Sequence, residues 1–301
     1  MFEPLVATCL SFHAAYRCRQ SGACCRAGWT IPFDADERQG VQTLGLGAGL
    51  LVSETRGSTV AARHSDGRCT FFKDESHHCA IHDAGGHAAL PVSCRMFPRV
   101  VLQDGRGTFV SLSHFCPTAA ALLFEEAGAS WPSAGIVDAP RTLIDVGPLD
   151  GLDAREVWPP LLRPGVMMDL ESYGMWERLG VGVLTREGVA PAASLDALVS
   201  ATGRITSWSP GGAERLEDVV RDAFGLLAPP STDGLGIQDR AVKRWLAARL
   251  FANWIAYQGD GLDAIVRYLQ HCMTTFTSEV ASDGSALEAI RRSDLLILHR
   301  A

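Results

Sequence analysis

The sequence predicts a mainly α-helical chain with an irregular, loop-rich and cysteine-rich amino-terminal part, α+β at most with a few short strands, ordered around a metal. Three observations predict it. Eight of nine cysteines and seven of nine histidines fall within the first 116 of 301 residues. Residues 57–116 are dense in Gly, His, Cys and Pro. The last third carries apolar residues at spacings of three and four, the period of a helix face.

Taken in order, residues 1–30 read as a short apolar start followed by a turn, Cys18-Arg-Gln-Ser-Gly-Ala-Cys24-Cys25. A helix begins after Asp34, with Asp36 and Glu37 in its first turn. Strand-like pieces stand at Cys69–Phe72 and Thr108–Leu112, and residues 118–127 read as a helix ended by Gly128. The stretch 128–166 reads as extended chain, with Trp131, Ile136, Leu143 and Trp158 expected to be buried. Leu195–Val199 and Leu216–Leu227 read as helical. Val242, Trp245, Leu246, Leu250, Trp254 and Tyr257 form one stripe. Leu262, Ile265, Leu269, Cys272, Met273 and Phe276 form another, behind an expected Asp260 cap. Ser285-Ala-Leu-Glu288 is a capping box before a last helix. The organisation this predicts is a cysteine-cluster region at 1–120, a wrapping linker at 121–166 and a helical region at 167–301.

Composition narrows the function. A hydrophobic fraction of 47%, a charged fraction of 20% and a net charge of −7 describe a globular chain with no general attraction to phosphates, so no nucleic-acid partner is expected. No run of 18 apolar residues could span a bilayer, and Met1-Phe2-Glu3-Pro4-Leu5 lacks the basic stretch and apolar run of a secretory signal. The expectation is a cytoplasmic protein without membrane contact, in a reducing compartment where structural disulfides are rare.

The clustered thiols then point to an inorganic centre. Metal ligands are thiolates, imidazoles or carboxylates brought within about 2.0–2.3 Å of an ion. Cys18-x5-Cys24-Cys25 supplies a turn, with Gly22 giving backbone freedom; Cys69, Cys79, Cys94 and Cys116 follow, flanked by Gly67, Pro91 and Pro117. Structural zinc contributes roughly 10–16 kcal/mol to a small domain, against about 2–4 for a disulfide, enough to order such loops. Zinc and iron–sulfur clusters both accept thiolates. His78 and His82, beside Cys79, are further candidate ligands. Arg17, Arg19, Arg26, Arg68, Arg95 and Arg99 could offset the charge of a thiolate centre.

The ordered elements Cys18-x5-Cys24-Cys25, Cys69-Thr-Phe-Phe, Cys79-Ala-Ile-His82, Pro91-Val-Ser-Cys94-Arg95-Met-Phe97-Pro98 and Ser113-His-Phe-Cys116-Pro117 resemble the cysteine-cluster family of zinc- or iron-chelating domain proteins, which includes the flagellin lysine N-methylases. The resemblance covers roughly residues 12–120. It implies that Cys18, Cys24, Cys25, Cys69, Cys79, Cys94 and Cys116 hold a zinc ion or an iron–sulfur cluster, with Arg95 donating to a ligand sulfur. Ser21 stands where many members carry an additional cysteine.

The methylase branch implies methyl transfer from S-adenosylmethionine to a lysine of a protein substrate. Gly45-Leu-Gly-Ala-Gly49 is a weak candidate for a cofactor loop, because no clear strand precedes it. Asp74, Glu75 and His77 are candidate bases only through their closeness to the cysteines, so the catalytic residues are unknown. Two other readings stand beside the enzyme: a metal-binding module for delivery, storage or sensing, and a zinc-stapled scaffold whose helical half binds another protein.

Overall fold

The computed structural model describes residues 7–53, 57–125, 135–146, 149–227 and 236–299. Its centre is a five-stranded sheet in the order β7-β1-β6-β5-β8. Strand β1 is Ala7–Leu10, β5 is Arg99–Asp104 and β6 is Gly107–Leu112; β7 (Ile136–Asp138) and β8 (Leu152–Asp153) form the two edges. β5 and β6 are an antiparallel hairpin, while β1 lies parallel to β6 with Ala7 opposite Thr108 and Cys9 opposite Val110.

Successive side chains of a strand point to opposite faces, and here both faces are covered. Leu10, Leu102 and Phe109 join the large core that runs into the helices. Cys9, Val101, Val110 and Leu112 join a second core on the other face, together with Tyr16, Met96 and Cys116. The stretch 121–166, expected as a linker, thus supplies β7, β8 and the short helix α5 (Arg141–Ile144), whose Leu143 is fully buried. Trp158 departs from expectation: it is 77% exposed. Trp131 and Gly128 lie outside the described residues.

A second layer holds most of the cysteines. Strands β2 (Pro32–Phe33), β3 (Leu50–Val52) and β4 (Thr59–Ala61) form a small sheet with β4 in the middle. Helix α1 (Ala35–Thr43) starts at a full capping box: Glu37 N–H donates to Asp34 Oδ1 at 2.8 Å, and Asp34 N–H donates to Glu37 Oε2 at 3.1 Å. Short helices α2 (Ala80–Gly85), α3 (Val92–Met96) and α4 (Pro117–Leu122) follow. The strand expected at Cys69–Phe72 is a tight turn instead, with Cys69 bridged to Arg63 and Phe72 bridged to Cys79. Helix α4 ends at Leu122, short of the expected 127.

Where a metal-nucleated core is expected, the described residues show an apolar cluster with cysteines packed into it. Ile31, Phe33, Val41, Ala61, Phe71 and Ile81 pack together with the buried Cys69, and Cys25, Cys79 and Cys94 lie partly buried against them.

The carboxy-terminal part is helical: α6 (Leu170–Thr185), α7 (Pro191–Thr206), α8 (Leu216–Gly225), α9 (Ile237–Leu250), α10 (Leu262–Asp283) and α11 (Ala286–His299), after a small hairpin of β9 (Leu161–Arg163) and β10 (Val166–Met167). The first stripe does not continue to Tyr257 as one helix. α9 stops at Leu250, Ala252 has φ +55°, and Asn253 caps a separate 3-10 turn at Trp254–Tyr257. The cap of α10 is Gly261 rather than Asp260. At the last helix, Glu288 N–H donates to Ser285 Oγ at 3.3 Å, half of the expected box. No helix among the described residues is long and apolar enough to cross a membrane.

Candidate metal centre

All nine cysteines are free thiols. The local sequence decides how the cluster-forming ones are presented. Gly22 has φ +69°, a conformation glycine adopts without penalty, and a Cβ there would come within 2.4 Å of the Phe72 ring. That close approach lets Cys24 and Cys25, on a 3-10 turn, face the Cys69–Cys79 loop; Cys69 N–H donates to Cys25 O at 2.9 Å. Cys79 precedes α2 and Cys94 lies within α3. α3 is tied to α1, since Val92 N–H donates to Glu37 Oε1 at 2.6 Å.

The electrostatics tie five thiols into one group. The Cys25 thiol donates to the Cys24 sulfur, which lowers Cys24 from its ordinary value and raises Cys25. Burial and the charges of Cys24, Cys79 and Cys69 push Cys25 further up. Cys94 is raised by burial first and then by the same three neighbours. Burial also raises Cys69 and Cys79.

Cys18 and Cys116 form a second group. Cys18 is exposed, and Gln20 N–H donates to its sulfur at 3.4 Å. Cys116 is buried, with the Tyr16 hydroxyl 3.8 Å from its sulfur. Burial, followed by the charges of Cys116 and Cys18, raises Tyr16. Cys272 is buried in the large helical core and Cys9 in the core that also holds Tyr16 and Cys116, and burial pushes each up to about 12.

Several of the flanking cations have partners other than sulfur. Arg95 donates to Ala88 O at 3.0 Å, holding the segment before α3. Arg99 lies near the second group: its guanidinium is 5.6 Å from the centre of the Tyr16 ring and feels the charges of Cys18 and Cys116. Only its place beside the Pro98 turn distinguishes Arg99 in the sequence. Arg26 meets His77 Nδ1 at 3.2 Å and stacks over Phe72. Arg68 is paired with Asp66 and Asp74, and His78 with Asp83 at 3.3 Å. His82 Nδ1 is 3.3 Å from Gln20 Nε2, at the edge of the Cys18 turn.

The Gly45–Gly49 string has none of the geometry of a cofactor loop. It follows α1, contains a 3-10 turn at Gly47–Gly49 and leads into β3, with no strand before it. A Cβ on Gly49 would come within 2.4 Å of the Phe71 ring, so packing accounts for that glycine.

Among the described residues, no three Cys, His, Asp or Glu side chains stand together in metal-ligand geometry. The donor chemistry nevertheless fits a thiophilic metal. Burial and the charge of neighbouring thiols raise Cys25, Cys69, Cys79 and Cys94, which are poor company as free anions, and a bound cation inverts that relation. Residues 17–117 match the family model CxxCxxCC, described as "Putative zinc- or iron-chelating domain". No curated protein and no solved structure matches the chain.

Proposed function

We propose that this chain, whose residues 17–117 belong to the zinc- or iron-chelating CxxCxxCC family, is a metal-carrying protein whose fold survives loss of its metal. Cys24, Cys25, Cys69, Cys79 and Cys94 are the main ligand set in this reading, with Cys18 and Cys116 completing it. A zinc ion or an iron–sulfur cluster would supply a Lewis-acidic or electron-accepting centre there. One observation carries the reading: the thiols sit against an apolar cluster of Ile31, Phe33, Val41, Ala61, Phe71 and Ile81, so these loops have a hydrophobic core of their own beside the thiols. A zinc staple would be expected where such a cluster is missing. Of the alternatives, a module for delivery, storage or sensing therefore fits better than a structural scaffold. Methyl transfer finds no favouring geometry at Gly45–Gly49, and titration with S-adenosylmethionine by calorimetry is its direct test.

The deciding experiment is anaerobic purification followed by zinc, iron and sulfide analysis, then chelation. The expected result is bound zinc or iron, lost on chelation with the circular dichroism spectrum kept. Unfolding on chelation would support the staple, and a chain that holds neither metal would end the proposal. Cys24→Ser and Cys94→Ser should lower the metal content, whereas Cys9→Ser and Cys272→Ser should leave it unchanged.

A further inference from the structure

Strand β6 ends at Leu112, and four residues later the chain reaches Cys116. Each of the four residues from Leu112 to Phe115 is held by a side chain from the helical part. Arg249 on α9 donates to Leu112 O at 2.5 Å. Ser113 Oγ lies 2.9 Å from His299 Nε2 on α11. His114 N–H donates to Asp294 Oδ2, also on α11. Arg291, one turn earlier on α11, donates to Phe115 O at 3.1 Å.

Asp294 is the hub of this clamp. It is fully buried, accepts Trp245 Nε1–H at 2.7 Å, and lies 3.9 Å from Arg249 Nε and 3.5 Å from His114 Nδ1. A buried carboxylate with this many fixed donors has one position, and it fixes whatever it holds. The next residue in the chain is Cys116, the cap of α4. The family match stops at residue 117, whereas α11 spans Ala286–His299, so the clamp comes from far outside the matched segment.

The geometry points to Asp294 as a positioning residue for metal binding: through His114 it holds Cys116 where that thiol completes the ligand set. This rests on the metal-carrying reading and deepens it. A ligand fixed before the metal arrives forfeits less ordering entropy on binding. The coupling is reciprocal, so metal bound at Cys116 should tighten the docking of α11.

The test is alkylation of each cysteine by iodoacetamide, followed by mass spectrometry, on the full chain stripped of metal. It is run with and without added zinc, and again with ferrous iron under anaerobic conditions. In the unmodified chain, metal should slow alkylation of Cys24, Cys94 and Cys116. In Asp294→Asn, protection of Cys116 should weaken by about ten-fold or more, the scale on which residues behind metal ligands act, while Cys24 and Cys94 stay protected. Asp169→Ala removes the cap of α6, where Asp169 accepts Ser172 N–H at 2.8 Å, and serves as a control for general loosening of the helical part. Unchanged protection of Cys116 in Asp294→Asn overturns the proposal, as does equal loss at all three thiols or an equal effect of Asp169→Ala. Protection of Cys24 and Cys94 but not Cys116 in the unmodified chain overturns it while leaving the metal-carrying reading intact. Protection of none ends both. Hydrogen exchange on the unmodified chain adds a second measure: metal should slow the amides of 291–299, and no change there argues against the coupling.

Discussion

His13 Nε2 lies 3.1 Å from His114 Nε2, and both rings are fully buried. One ring must donate and the other accept. Asp294 beside His114 Nδ1 favours a proton on that nitrogen, which leaves His114 Nε2 to accept from His13. This pair joins the ends of β1 and β6, the two parallel strands that lead into Cys18 and Cys116.

Stability should therefore fall in mild acid. Burial holds His13 well below the ordinary histidine value of 6.5, and the charges of His114 and Arg249 act in the same direction. The groups facing it are His114, Arg249 on α9 and, behind His114, Asp294 on α11. The folded chain keeps His13 neutral where the unfolded chain takes up a proton. Its contribution is complete above pH 6.5 and declines as pH drops below that value, by up to about 1.4 kcal/mol per pH unit. Urea unfolding at pH 8 and at pH 5.5 measures this, and His13→Gln should show a shallower dependence. An equal slope in that variant would refute the assignment.

Arg106 should be among the most sensitive positions. Its guanidinium pairs with Asp104 at 2.7 Å and Glu177 at 2.8 Å, and lies 4.5 Å from the centres of both the Phe109 and Tyr173 rings. Arg106→Ala strands two buried carboxylates and should cost about 3–5 kcal/mol. Arg106→Lys keeps the charge but not the fork and the stacking, so denaturant midpoints should show only partial rescue.

Glu37 ties the metal layer together through two bonds, to Asp34 N–H and to Val92 N–H. Glu37→Ala removes half of the capping box and leaves the start of α3 unpartnered. A loss of about 1–3 kcal/mol is expected, with weaker metal retention in chelator competition because Cys94 lies on α3. Asp34→Ala removes only the cap of α1 and should cost about 1 kcal/mol.

Gly22→Ala combines an unfavourable positive φ with a collision against Phe72. It should lower stability by at least about 1 kcal/mol and speed alkylation of Cys24 and Cys25 in the metal-free chain. A reactivity pattern identical to that of the unmodified chain would show that the turn does not set how this pair is presented.

The periodic helices were legible because their partners lie three and four residues away. Helix α6 was not, since Gly174, Gly180 and Gly182 interrupt its pattern. Its signals were the Asp169 cap and the buried Tyr173, Trp176, Val181 and Leu184. The stripe through Trp254 misled because apolar spacing carries no sign of the positive φ at Ala252. Residue type pointed to Cys18, Cys24, Cys25, Cys69, Cys79, Cys94 and Cys116 as one set, without separating the five coupled thiols from Cys18 and Cys116. The clamp on residues 112–115 could not: His13 and His114 are 101 positions apart, and His114 and Asp294 are 180 apart, with no local pattern linking them.

The edge strands β7 and β8 carry a practical consequence for anyone wishing to express the cysteine-rich part alone. β7 pairs with β1 and β8 with β5, yet both lie beyond residue 117. A fragment cut at the family boundary would leave two raw backbone borders with open N–H and C=O groups, an invitation to chain-to-chain zippering. Soluble expression would demand a stop after Asp153 at the earliest, and the shorter piece should run as a high-mass aggregate on gel filtration.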